Sequence, residues 1–89
     1  MERSDYEQAL DQLTGAAELV ASGVADDQRA QAFETVAFFR LLKARTGMAA
    51  TSSDELFRDT AIAALTMAGR KEFLAAAALL EQARGLLKT

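Results

Sequence analysis

Apolar and polar positions recur along this chain with helical spacing in four stretches. In the first, Tyr6, Ala9, Leu10, Leu13, Ala16, Ala17 and Val20 fall on one face at about 100° per residue, while Glu7, Asp11, Thr14 and Glu18 line the other. In the last, Phe73, Ala76, Leu79, Leu80, Ala83, Leu86 and Leu87 share a face opposed by Glu81, Arg84 and Lys88. Both patterns read as peripheral helices with one wet side. The third stretch has a wide apolar arc, from Leu56, Thr60 and Met67 through Phe57, Ala64 and Ala68 to Leu65. Its polar strip, Glu55, Asp59 and Thr66, is narrow.

The second stretch carries two apolar groups. Ala30, Phe33, Val36, Ala37, Leu41 and Ala44 form one stripe, and Phe38, Phe39 and Leu42 lie roughly opposite, among Gln31, Thr35 and Arg45. A bundle helix needs one buried stripe, so the second is either covered within the chain, making this the central helix, or exposed for a partner. The composition of Phe38, Phe39 and Leu42, rimmed by Arg45 and Gln31, matches that of interface hot spots and predicts a protein–protein contact. Arg40 falls inside the first stripe, between Val36, Phe33 and Ala44. It either lays its methylenes on apolar surface and reaches water, or forms a buried ion pair with an acid such as Glu18, Asp59 or Glu72.

Local punctuation sets the boundaries. Ser4-x-x-Glu7 and Ser52-x-x-Glu55 match the capping box, and Asp26 or Asp27 can cap another helix start. Gly23, Gly47 and Gly69 sit where helices stop, because glycine enters the left-handed conformation cheaply; Val24 and Met48 follow two of them as a Schellman contact requires. The expected helices cover about residues 5–22, 27–46, 53–68 and 71–87. Four Val and Ile residues against 32 Ala and Leu leave little material for strands. Short joints make neighbours antiparallel. The expected fold is therefore all-α: a four-helix antiparallel bundle, or two packed helical hairpins (5–46 and 53–87), in a single domain over residues 1–89.

Charge adds an asymmetry. Residues 1–34 hold eight acids and two bases, net −6, whereas residues 35–89 hold five acids and eight bases, net +3. That separation predicts electrostatic orientation of a partner. The overall charge of −3 is not the basic field of a nucleic-acid binder. The polar start, Met1-Glu2-Arg3-Ser4-Asp5, does not read as a signal peptide, and the longest apolar run, Phe73 to Leu80, is too short to span a membrane. A cytoplasmic location is expected, and the Ala-rich, Lys-poor usage suits a GC-rich bacterial or phage gene.

The composition removes much chemistry. Without Cys or His there is no thiolate nucleophile, no imidazole acid–base catalyst and no common zinc ligand. Asp26-Asp27, and Asp54-Glu55 with Asp59, read as charged first turns rather than as oxygen ligands for Mg²⁺ or Ca²⁺. Lys43, Lys71 and Lys88 lie near helix ends, where a desolvated lysine nucleophile is not expected. The expectation is a non-enzyme with no cofactor, no metal and no small-molecule substrate.

Two outlines resemble known motifs. Helices 3 and 4, joined through Gly69, resemble a helix-turn-helix, and Arg40, Lys43 and Arg45 with Arg70-Lys71 form basic clusters. The would-be recognition helix, however, runs Glu72-Phe73-Leu74-Ala75-Ala76-Ala77-Ala78, with almost nothing to read a base edge. The same pair resembles one tetratricopeptide hairpin in the placement of Ala64, Ala76, Ala83 and Leu80, but its turn is too short and no proline follows, so the family is not claimed. The sequence thus predicts a small interaction module of adaptor, chaperone or inhibitor type, packing helix faces against a second copy (a homodimer) or another helical protein. The alternative is a nucleic-acid-binding transcriptional regulator with a degenerate helix-turn-helix.

Overall fold

Helices form where the periodicity places them. The computed structural model describes residues 1–88, with α1 at Arg3–Gly23, α2 at Asp26–Ala44, α3 at Asp54–Gly69 and α4 at Phe73–Leu86. Consecutive helices run antiparallel. Asp11 meets Lys43 and Glu18 meets Arg40 across α1 and α2, and Gln82 donates to Thr60 Oγ1 across α4 and α3. α1 and α3 run parallel, with Asp5 beside Arg58 and Tyr6 stacked on Phe57. The result is the expected four-helix all-α bundle.

Its centre is α1, not α2. α1 packs against α2, α3 and α4, whereas α2 packs chiefly on α1. This reverses the expectation that α1 is peripheral, and α2 is not the central helix that one of the two readings of its stripes would make it. The cause is the small residues of α1: Ala9, Ala16, Ala17 and Ala21 are buried and let neighbouring helices approach from several sides. Thr14, assigned from the sequence to the wet face, is buried too, and its hydroxyl donates to the Leu10 carbonyl at 2.7 Å. The charge separation closes these contacts within the chain. Asp5, Asp11 and Glu18 of α1 pair with Arg58, Lys43 and Arg40 at 3.9, 2.7 and 3.4 Å. These pairs lie at the surface, where each contributes about 0–1 kcal/mol.

The caps depart from expectation. α1 starts before Ser4, and its N-cap, Glu2, makes no side-chain capping bond; α2 starts from Ala25, which has none to make. α3 is capped by Ser53, whose Oγ accepts from the Leu56 N–H at 3.2 Å. Ser52, one residue too early to cap, instead donates its N–H to the Leu86 carbonyl at 2.8 Å. That bond continues a two-residue antiparallel bridge, β1 (Ala50–Thr51) with β2 (Leu87–Lys88), which takes Leu87 out of the expected end of α4. Around the same loop, the Tyr6 hydroxyl accepts from the Ala49 N–H at 3.2 Å and Arg3 donates to the Thr46 carbonyl at 3.1 Å. The Asp54 carboxylate accepts from the Met1 ammonium at 2.7 Å and from Thr51, and these hydrogen bonds hold its pKa below the ordinary 3.8.

No glycine takes a positive φ. At the end of α3 the Lys71 N–H donates to Ala68 O at 3.1 Å and the Glu72 N–H to Met67 O at 2.9 Å, the two bonds of a Schellman ending. The left-handed position of that motif is Lys71, at φ 64°, two residues beyond Gly69. A left-handed conformation costs a non-glycine residue about 1–2 kcal/mol. Lys71→Gly is therefore expected to raise stability by about 1 kcal/mol in urea unfolding, allowing for the larger unfolded-state entropy of glycine. Gly23 is required for a different reason. A Cβ there would lie 2.3 Å from the Phe73 ring, which seats α4 on the end of α1. Gly23→Ala is expected to cost about 1–3 kcal/mol through overpacking, with much of the loss recovered when Phe73 is shortened to Leu.

Candidate interaction surface

α2 buries one side on α1 and leaves the other to solvent. The buried side holds Ala32, Thr35, Val36, Phe39 and Leu42. Phe39 is 0% exposed and meets Phe38 edge to face at 5.2 Å. Phe38 is half-buried, with the Arg84 guanidinium 4.3 Å above its ring, a cation–π contact joining α2 to α4. The expected partner-binding group is therefore taken apart. Phe39 and Leu42 belong to the core and Phe38 is covered from above. Gln31 lines a groove of about 210 Å³ between α2 and α4, and Arg45 stands exposed at the far end of the helix. Covering Phe39 and Leu42 takes only α1 and its neighbours, because the alanines of α1 admit them.

The other stripe is the exposed one. Phe33 and Leu41 are each 57% exposed, and Ala30, Ala37 and Ala44 on the same side are exposed with them. Only Val36, at the edge of the predicted stripe, turns inward. Arg40 borders this face and pairs with Glu18 at 3.4 Å, but both side chains are at least half in water, so the pair is not buried. An arginine inside an apolar stripe was a signal in the sequence that this stripe faces outward, since its charged head must reach water.

Other surface features offer less. The groove between α2 and α4 is floored by Val20 and Val24 of the α1 end and flanked by Leu74, and it contains no buried charged group. In the basic cluster at the end of α2, Arg40 is engaged by Glu18 and Lys43 by Asp11. α4, the would-be recognition helix, turns Leu74, Ala75 and Ala78 to solvent, side chains that neither read a base nor hold a phosphate. Every buried side-chain polar atom among the described residues has a hydrogen-bond partner, so no frustrated polar group marks a site elsewhere. Among the described residues no helix is long and apolar enough to cross a membrane. Comparison with known protein families, curated proteins and solved structures finds no match for this chain.

Proposed function

We propose that this protein is a non-catalytic interaction module whose working surface is the outer face of α2. The observation that carries the reading is the continuous exposed row of Ala30, Phe33, Ala37, Leu41 and Ala44 on a helix that is already packed on its opposite side. An exposed Phe or Leu alone is ordinary, but an aromatic and a leucine aligned with three alanines make a face that another helix can pack against. Such a contact uses helix-face packing, places the large side chains at its centre and needs no chemistry from the chain. Adaptor, chaperone and inhibitor roles all use this mechanism.

Photo-crosslinking in the native host tests the reading. A photoreactive residue placed at Ala37 is expected to give a protein adduct that disappears when Phe33 and Leu41 are both changed to Asp. Absence of any protein adduct, or an adduct indifferent to those changes, would overturn it.

A further inference from the structure

The outer face of α2 is symmetric in sequence about Ala37. Moving away from Ala37 in either direction, the row meets a large side chain, Phe33 or Leu41, and then an alanine, Ala30 or Ala44. A face with that order is complementary to itself when a second copy is laid across it antiparallel. A twofold axis beside Ala37 sets each Phe33 next to the partner's Leu41 and each Ala30 next to the partner's Ala44. The alanine at the axis lets the two helices approach closely.

The charges on α2 point to the same occupant. Asp26 pairs with Arg29, Arg40 with Glu18 and Lys43 with Asp11. Among the described residues, the three charged side chains of α2 and its C-cap without an ion-pair partner are Asp27, Glu34 and Arg45. On a helical wheel all three lie on one flank of the apolar row, within about 20° of one another. The twofold axis of an antiparallel pair, perpendicular to both helices, keeps same-flank residues together. The antiparallel arrangement therefore sets the partner's Arg45 between Asp27, about 3 Å away along the axis, and Glu34, about 7.5 Å away, at 1.5 Å per residue. In a parallel pairing the axis runs along the helices and sends this flank to opposite sides of the interface, so Arg45 meets neither Asp27 nor Glu34.

Resting on the reading of this face as a docking surface, we propose that its occupant is a second copy of this chain, packed α2 against α2 in an antiparallel twofold dimer. In it the partner's Arg45 bridges Asp27 and Glu34 at both ends of the interface. One helix-on-helix contact is small by the standard of stable complexes, so dissociation in the range of about 1–100 µM is expected.

Sedimentation velocity of the full chain, from about 1 µM to about 1 mM, reads the association directly. The wild type is expected to pass from monomer to dimer, and Phe33→Asp, an exposed and fold-neutral change, to remain monomeric. Arg45→Glu alone, and Asp27→Arg with Glu34→Arg in one chain, are each expected to weaken the dimer about tenfold or more, because the twofold axis repeats each contact. Mixing the two charge variants restores complementary charge at both ends of a heterodimer, which is expected to form more tightly than either homodimer. A wild type that stays monomeric, a dimer that survives Phe33→Asp, or charge variants that behave like the wild type would overturn the proposal. A monomer whose Ala37 photo-crosslinker captures a foreign protein would overturn self-pairing and keep the docking face. A monomer that captures nothing would overturn both.

Discussion

Phe39→Ala is expected to destabilise the protein by about 3–5 kcal/mol, while Phe33→Ala, six residues earlier on the same helix, stays within about 0.5 kcal/mol of wild type. Both residues are phenylalanines in α2, and local propensity does not separate them. The difference is burial: Phe39 is 0% and Phe33 57% exposed. Removing the fully buried Phe39 ring leaves a cavity in the core and removes the ring that Phe38 meets edge to face. Urea unfolding followed by circular dichroism measures both. The midpoint should fall sharply for Phe39→Ala with little change in slope, provided the unfolded state is unaltered. For a domain whose whole stability is on the order of 5–10 kcal/mol, that loss brings the fold close to its limit.

The second large effect falls on α1. Leu13→Ala is expected to cost about 2–5 kcal/mol. Leu13 is fully buried in the helix that packs against all three others, so no single neighbour can move to close the gap without losing its own contacts. Leu74→Ala in α4 serves as the control. That side chain is 72% exposed, and its truncation is expected to change stability by no more than about 0.5 kcal/mol. Equal costs at the two positions would mean that α1 is not the centre of the bundle.

These contrasts show where sequence periodicity carries information and where it stops. The four helices were legible because each repeats apolar residues over several turns, and their ends fell within a few residues of the observed ones. The joints were less legible. Gly69 read as the left-handed stop of α3, but the helix continues through it and Lys71 takes that conformation, because the Schellman bonds to Met67 and Ala68 close two residues later. The role of Gly23 depends on Phe73, fifty residues away, which no local rule reaches. The cap of α3 fell to Ser53 and not to Ser52, whose N–H bonds the distant Leu86 carbonyl beside the strand bridge.

The candidate surface was half legible. Two apolar stripes on α2, one of them surplus to the bundle, followed from the helical wheel. Which stripe is surplus depends on what α1 offers, and α1 offers a shallow alanine surface that takes in Phe39 and Leu42. Aromatic density favoured Phe38 and Phe39 as the contact, because hot-spot composition and core composition are alike at this resolution of reading. The position of Arg40 within the Phe33 stripe carried the opposite message. The ion pairs show a similar ambiguity. An acidic first third and a basic remainder suggested a partner, and in the folded chain they first join α1 to α2 and α3. What remains unpaired on α2, Asp27, Glu34 and Arg45, becomes visible only after those contacts are known.

The orientation of α2 decides which of its stripes is buried, and neighbouring positions report it most directly. The chain has no cysteine, so a single introduced thiol is the only one that a maleimide can modify. Leu41 is 57% exposed and Leu42 is 5% exposed. Labelling of Leu41→Cys in dilute native protein should proceed at about the rate of the unfolded chain, and that of Leu42→Cys should be slower by about a hundredfold or more, since it waits for opening of the fold. A protected thiol at position 41 beside a reactive one at 42 would mean that α2 is turned the other way, with Phe33 in the core and Phe39 on the surface.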